Sequence, residues 1–272
     1  MYLKSTWSSA DGNFIILKKY HALRAMPTSS KIRERRKPRK QETSLAQEEI
    51  NRRHKAERIQ RQLLDNFCPG DWYLTLTFAT GHLPESEDAA KKILGKLKRN
   101  LRDYFHKKGK ELIYIFIVEN LTGRGRCHAH MMIPAMDPED RAKLSKLWPY
   151  GHIEVKYYGG EQIDAFQLAE YFTKAAVEKT ASQVMTSKNL VTTEPKKEQV
   201  SRAETYSDTI TAPEGYEIVK QLTYTGYTYD GYPMQRIVLQ RINLEYNGRR
   251  NTKDAHNSSR AGSPPGRSSK RK

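Results

Sequence analysis

The sequence predicts an α+β fold in which helices pack against a central antiparallel sheet. Three observations support this fold: strand-like segments recur between residues 71 and 158, amphipathic helical segments separate them, and the order through residue 179 is β-α-β-β-α-β-α. We expect the helices on one face of the sheet. Basic, flexible extensions are expected at both ends of the chain.

Each predicted element has its own pattern. The first strand, "DWYLTLTFAT", alternates and is rich in aromatic and β-branched residues. The helix in "ESEDAAKKILGKLKRNLRDYFHKKG" places apolar residues on one side. "ELIYIFIVEN" and "CHAHMMIP" are further strands, followed by a helix in "PEDRAKLSKLW", a strand in "GHIEVKYY" and a helix in "IDAFQLAEYFTKAAVEK".

Four segments are predicted along the chain: a basic N-terminal arm or helix at 1–65, a core at 66–192, a C-terminal extension with additional strands at 193–246, and a disordered basic tail at 247–272. The helical part of the first segment has few apolar positions. It fits a DNA-gripping arm and a solvated helix of mixed charge equally well.

Net charge indicates the kind of partner. The chain has 48 Lys and Arg against 31 Asp and Glu, a formal charge of +17. Such an excess favours binding to a polyanion, either nucleic acid or an anionic membrane. Residues 1–65 carry 16 basic and 7 acidic residues, and 248–272 carry 8 and 1, so the middle is nearly neutral. Catalytic groups are therefore sought in the middle.

The sequence also limits compartment and energy source. Two cysteines, the lack of a signal peptide pattern and the lack of a bilayer-length apolar run predict a cytoplasmic protein in a reducing environment, with no membrane partner. No phosphate-binding loop of the Gly-x-x-x-x-Gly-Lys-Ser/Thr type occurs, which argues against ATP-driven helicase activity.

His128, His130 and Glu119 are candidate metal ligands. On a strand the two histidines share one face, and a hairpin through "NLTGRGRC" brings Glu119 near them. One carboxylate and two imidazoles suit Mg²⁺ or Mn²⁺. The alternative is two sheet-surface histidines, with Glu119 in a salt bridge to Arg124 or Arg126.

Tyr171 and Lys174 lie three residues apart on one face of the last predicted helix. A phenol beside a cation and a metal-bound phosphate is a competent nucleophile. The alternative is an ordinary half-buried helix aromatic beside a solvated lysine.

Three segments in order, "WYLTLTF", "VENLTGRGRCHAHMMIP" and "AEYFTKAA", resemble the motifs of the rolling-circle replication initiators (Rep proteins) of the HUH endonuclease superfamily, found in small plasmids and single-stranded DNA phages. The resemblance covers roughly residues 66–192, including "LWPYGHIEVKYY" and "TSKNL". Ala175 stands where several relatives carry a second tyrosine, so the chain looks like a single-tyrosine enzyme.

The resemblance implies a metal-dependent nicking endonuclease and strand transferase that starts rolling-circle replication. Tyr171 would form a 5′-phosphotyrosine bond with single-stranded origin DNA, assisted by Lys174, and Glu119 would be the third metal ligand. The free 3′ end would prime a host DNA polymerase, with a host helicase. Arg124, Arg126 and Lys188 are candidate DNA contacts or, equally, solvated loop charges. A single-tyrosine transposase, a relaxase and a noncatalytic nucleic-acid-binding protein are the alternatives.

Overall fold

The hydrophobic patterns of the chain form two antiparallel sheets and four helices. The computed structural model describes residues 1–22, 45–119, 126–177, 184–205, 209–228 and 230–244. The helices are α1 (Leu45–Asn66), α2 (Glu87–Lys107), α3 (Arg141–Leu147) and α4 (Gln162–Val177). The strands are β1 (Tyr2–Ser8), β2 (Phe14–His21), β3 (Trp72–Phe78), β4 (Ile115–Glu119), β5 (His128–Ile133), β6 (Gly151–Tyr157), β7 (Met185–Thr186), β8 (Lys196–Val200), β9 (Tyr216–Ile218), β10 (Tyr224–Tyr227) and β11 (Pro233–Arg241).

The five-stranded sheet contains the strands predicted for the core. Its order is β6-β3-β5-β4-β7, and every pairing is antiparallel. All seven elements predicted between residues 71 and 179 are present, and the predicted α+β class is confirmed. None of the four helices in the described part of the chain is both long and apolar enough to cross a bilayer.

Helices cover both faces of this sheet, so the expectation of one covered face is wrong. α2 and α3 pack on the face that carries Leu74, Phe116 and Met131. α1 and α4 pack on the face that carries Ile117 and Met132. The reason is visible in β4, whose residues 115–118 are all buried. A continuous apolar run is typical of a strand buried on both faces, whereas an alternating strand leaves one face to solvent.

A second, six-stranded sheet joins the two ends of the described chain. Its order is β10-β11-β2-β1-β8, and β9 pairs with β11. Residues 1–22, interpreted from the sequence as part of a basic arm, therefore form two strands instead. In β1 the buried positions are Leu3, Ser5 and Trp7, an alternation in which a serine interrupts the apolar signal. The predicted basic tail, 247–272, lies outside the described residues.

α1 lies between the two sheets and is not a solvated helix, whereas its interpretation as a DNA-gripping arm stays a prediction. Ala56, Ile59, Leu63 and Leu64 are buried, with a spacing that forms one helix face. These residues share a hydrophobic core with strands of both sheets and with α4. The four-segment division stays a prediction, but α1 and β1 pack into the same core as α4. The layers are thus the six-stranded sheet, α1 with α4, the five-stranded sheet, and α2 with α3.

Candidate metal centre and its tyrosine

The three candidate metal ligands meet where β4 and β5 pair. Glu119 lies directly opposite His128 in the antiparallel register, and His130 follows on the same face. Cys127 and Ala129 point to the other face and are buried in the core beneath α2. The predicted shared face of the two histidines is therefore confirmed. The connection at residues 120–125, which contains Arg124, lies outside the described residues.

The ligand atoms of these side chains converge on one point. Nε2 of His128 lies 3.2 Å from Oε2 of Glu119, and Nε2 of His130 lies 3.8 Å from the same oxygen. The three ligand atoms all lie within 4.8 Å of one another. Glu119, His128 and His130, named here the metal cluster, therefore form a possible metal-binding site.

Hydrogen bonds on the far side of each ring orient the histidines. Nδ1 of His128 donates to the carbonyl oxygen of Arg126 at 2.8 Å, which fixes a proton on Nδ1. Nδ1 of His130 lies 3.3 Å from Oγ1 of Thr75. Both rings therefore turn Nε2 towards Glu119, the arrangement by which outer partners select the tautomer of a metal-binding histidine. Oε1 of Glu119 is buried and has no hydrogen-bond partner among the described residues, which fits a cation ligand.

Burial, hydrogen bonds and neighbouring charges shift the pKa values of the three residues of the metal cluster. Burial by itself would raise the pKa of Glu119, but the hydrogen bond from His128 and the charges of both imidazoles lower it overall. The hydrogen bond to Glu119 raises the pKa of His128. Burial lowers the pKa of His130 to about 4, so this ring is neutral at pH 7. A carboxylate with a neutral imidazole is the protonation state that divalent ions require.

The side chain of Tyr171 reaches this cluster from α4. Its hydroxyl lies 2.7 Å from Nε2 of His130 and 3.3 Å from Oε2 of Glu119. The helix is fixed by the next residue, Phe172, which is fully buried, while Tyr171 itself is 40% exposed. Burial and the charge of Glu119 raise the pKa of the Tyr171 hydroxyl, so it is a protonated phenol in this arrangement.

The candidate basic residues do not all lie near the metal cluster. Lys174 is exposed one turn beyond Tyr171 on α4, and it forms no ion pair with another described residue. Arg126 is exposed and lies two residues before the start of β5. Lys188 is exposed but lies elsewhere: its neighbour Ser187 bonds to Tyr114, before the start of β4. At about 3.3 Å per residue, that end of β4 is roughly 15 Å from Glu119, so Lys188 is not at the metal cluster.

Two uncharged residues of β3 were missed as site residues. Thr75 orients His130, as described above. Tyr73 packs against the core and stacks on the His130 ring with centroids 5.5 Å apart and planes 5° apart, and its hydroxyl interacts with that of Tyr171. The alternation of β3 could have indicated both residues, because they lie on the face opposite the buried leucines. The other aromatic of the segment, Trp72, is a core residue.

A salt bridge links α4 to α1 beside Tyr171. Nη1 of Arg52 lies 2.6 Å from Oε2 of Glu170, and its Nε lies 2.8 Å from Glu49. Arg52 is thus held by carboxylates from both helices. This contact also escaped prediction, because its partners are far apart in the sequence.

The "WPYG" segment positions the end of β3. Nε1 of Trp148 donates to the carbonyl oxygen of Thr77 at 3.3 Å. A Cβ on Gly151 would lie 2.0 Å from the same oxygen. Only glycine allows β6 to begin this close to β3, so Trp148 and Gly151 together hold this end of β3.

A second acidic group does not offer an equivalent site. Asp137, Glu139 and Asp140 also have converging ligand atoms. Lysines already neutralise them: Lys108 lies 2.8 Å from Asp137 and 2.9 Å from Asp140. The metal cluster has no such lysine among the described residues.

The segment that carries the site is similar to a known protein family. Residues 71–176 match the family model of the replication-associated protein ORF2. No curated protein and no solved structure gave a significant match. The matched segment contains β3, the whole metal cluster and Tyr171. The site-bearing part of the chain is therefore similar to replication-associated proteins of this family, which supports a role in replication initiation.

Proposed function

We propose that this protein is a metal-dependent, site-specific single-strand DNA endonuclease and strand transferase of the HUH type that initiates rolling-circle replication. The observation that carries the proposal is the position of the Tyr171 hydroxyl, 2.7 Å from Nε2 of His130 and 3.3 Å from Oε2 of Glu119. The hydroxyl thus contacts two of the three candidate metal ligands. The family match to replication-associated proteins supports the same function.

The residues present fit a bound divalent ion. Glu119 offers one buried oxygen that has no hydrogen-bond partner in the described part of the chain, and His128 and His130 each turn Nε2 towards Glu119. One carboxylate and two imidazoles leave coordination positions for water or phosphate, which suits Mg²⁺ or Mn²⁺. When bound, the ion would polarise the scissile phosphate and stabilise its developing negative charge.

Tyr171 is the proposed nucleophile. Its phenolic oxygen forms a bond to phosphorus as the bond from phosphorus to the 3′ oxygen breaks, and the phenolic proton ends on that oxygen, directly or through solvent. The products are a 5′-phosphotyrosine and a free 3′-hydroxyl. Because the covalent bond stores the energy of the broken one, a 3′-hydroxyl can later rejoin the strand without ATP. Lys174, exposed one turn away, supplies positive charge to this exchange.

The DNA strand is proposed to cross the sheet face beside the metal cluster. Thr75 and Thr77 of β3 are only partly buried, and the neighbouring positions on β6 are the exposed residues His152, Glu154 and Lys156. This uncovered surface adjoins Tyr171. Lys156 and Arg126 would hold backbone phosphates here, and base edges would meet the threonines. The partners are origin DNA, a host polymerase extending the 3′ end, and a host helicase.

The test is formation of a covalent adduct. The protein is incubated with Mn²⁺ and single-stranded oligonucleotides that tile the DNA flanking its gene, and products are separated under denaturing conditions. We expect one oligonucleotide to give a protein–DNA adduct, with mass spectrometry placing the nucleotide on Tyr171. Specific binding of an oligonucleotide with no adduct in any divalent ion would contradict the enzyme and support a noncatalytic DNA-binding protein. A transposase or relaxase would instead cut at a transposon end or a transfer origin.

A further inference from the structure

The described residues line a cavity of about 450 Å³ that shares no residue with the metal cluster. It lies between the six-stranded sheet and α1, with lining residues from β1, β2, β8, β10 and β11. None of its lining residues falls within 71–176, the segment that matches the replication-associated family. The proposed nicking chemistry uses none of them, so the cavity needs a separate explanation.

The cavity wall has an excess of positive charge. Five cationic side chains line it against two carboxylates, and the seven residues are Lys18, Lys19, Arg61, Lys197, Arg236, Glu57 and Glu194. Glu57 is paired with Lys18. No described carboxylate forms an ion pair with Arg61 or Arg236. The unmatched guanidinium groups favour an anionic ligand and exclude a cation.

Arg236 is the most informative of these side chains because it is 7% exposed. Its Nη2 donates to Oε1 of Gln60 at 3.2 Å, and its guanidinium lies over the Phe166 ring. The Nε atoms of Arg236 and Arg61 are both buried and lack hydrogen-bond partners among the described residues. Unpaired buried donors on charged groups are costly, and an oxyanion would satisfy them. Guanidinium groups are well suited to binding phosphate oxygens at two points.

The cavity also offers aromatic surface. Tyr224 on β10 is 49% exposed and lines the cavity, and Tyr20 on β2 does so as well. A flat, partly exposed ring is a stacking surface for a nucleobase, whatever its sequence. A volume of about 450 Å³ falls within the range of pockets that hold small ligands. Phosphate-binding cations beside an aromatic ring therefore match one nucleotide better than a bare anion.

We propose that this cavity binds a nucleotide, with Arg61 and Arg236 donating to phosphate oxygens and Tyr224 stacking on the base. The nucleotide is either free or one unit of a single-stranded DNA. The proposal is independent of the nicking activity, because its residues and its ligand contacts are separate from the metal cluster and from Tyr171.

Binding is measured by isothermal titration calorimetry on full-length Tyr171→Phe protein in EDTA, which removes both nicking and metal binding. The probes are dAMP, inorganic phosphate and a short single-stranded oligothymidylate. Two substitutions, Arg61→Gln and Lys197→Gln, remove cavity cations. Lys196→Gln is the matched control, since Lys196 precedes Lys197 on β8, is exposed and does not line the cavity. Tyr224→Ser tests stacking, with Tyr227→Ser on the same strand as its control.

We expect each cavity-cation substitution to weaken dAMP or oligothymidylate binding about fivefold to tenfold relative to Lys196→Gln, since one charge-assisted hydrogen bond has roughly this effect. Loss of dAMP binding assigns a free nucleotide, and loss of oligothymidylate binding alone assigns a unit of the strand. Tyr224→Ser should weaken the same probe but leave inorganic phosphate unchanged. Equal effects of Lys196→Gln and Arg61→Gln, or no binding of any nucleotide probe, would overturn the proposal.

Discussion

Nε2 of His128 lies 3.2 Å from Oε2 of Glu119, so a proton on this nitrogen occupies the position that a metal ion would take. Nδ1 of the same ring already donates to the carbonyl oxygen of Arg126. Without a cation, Glu119 therefore stabilises the protonated form of His128, which agrees with its raised pKa. Metal and proton compete for one nitrogen.

The affinity of the metal cluster for Mn²⁺ should consequently rise with pH. Glu119 raises the pKa of His128, so the competing proton is present below that pKa and lost above it. Calorimetric titrations of Mn²⁺ in buffers of different ionisation enthalpy should show proton release below the pKa of His128. The release should vanish in His128→Ala. An affinity that does not change between acidic and alkaline pH would contradict this competition.

Replacing Tyr171 by phenylalanine should abolish the covalent adduct while leaving DNA affinity within about twofold, because one exposed hydroxyl adds little to ground-state binding. Adduct formation is followed on denaturing gels and binding by fluorescence anisotropy. The control is Tyr157→Phe, whose ring is 60% exposed on β6 and whose hydroxyl contacts only Arg141 among the described residues. Full activity in Tyr171→Phe would assign the nucleophile elsewhere.

His128→Ala should lose cleavage and weaken Mn²⁺ binding at least about tenfold, because it removes one of three ligands. Binding of the origin strand should largely persist. His152→Ala makes the matched comparison: His152 is exposed on β6, next to the partner strand of β5, but does not belong to the metal cluster. Equal Mn²⁺ affinities of the two variants would argue against the cluster as the metal site.

Thr75→Val should weaken Mn²⁺ binding about tenfold, because it removes the oxygen that orients His130 and leaves the fold intact. Valine has nearly the same shape as threonine, so packing of β3 is retained. Thr77→Val changes the same strand face two residues further on and should have little effect. If both variants bind Mn²⁺ like the unsubstituted protein, Thr75 does not orient the ligand.

Leu63→Ala should lower the free energy of unfolding by about 2 to 5 kcal/mol, since Leu63 is fully buried on α1. Leu45→Ala, at an 84% exposed position of the same helix, should change it by less than about 0.5 kcal/mol. Urea unfolding followed by circular dichroism measures both. A small effect at Leu63 would contradict the packing of this helix into the core.

The site geometry was predictable because it depends on local rules. Alternation places His128 and His130 on one face, and a short hairpin brings Glu119 opposite His128. Helical spacing places Tyr171 and Lys174 on one side of α4. Their roles as ligands, nucleophile and charge stay predictions, as do the DNA contacts of Arg126 and Lys188. Arg124 lies outside the described residues.

Long-range contacts were not predictable from one sequence. The apolar face of α1 was not recognised because the helix is highly charged and the face is formed by few residues, among them an alanine. The alternation of β1 was not recognised because the buried Ser5 is polar. The roles of Thr75 and Tyr73 depend on which strands become neighbours, and the link between Arg52 and Glu170 depends on two helices meeting between sheets. Nothing in the local pattern of either segment specifies its partner.

The pairing of β2 with β11 has a consequence for synthesis of the protein. Ile16 lies opposite Val238, so the edge of β2 that faces β11 can pair only after the chain has been synthesised through β11. Contacts this distant in the chain form late and slowly. Since α1 and α4 are packed against that sheet, a ribosome-bound chain that has not reached residue 241 should hold Tyr171 on an incompletely supported helix. Limited proteolysis of stalled nascent chains would show α1 becoming protected only after β11 emerges.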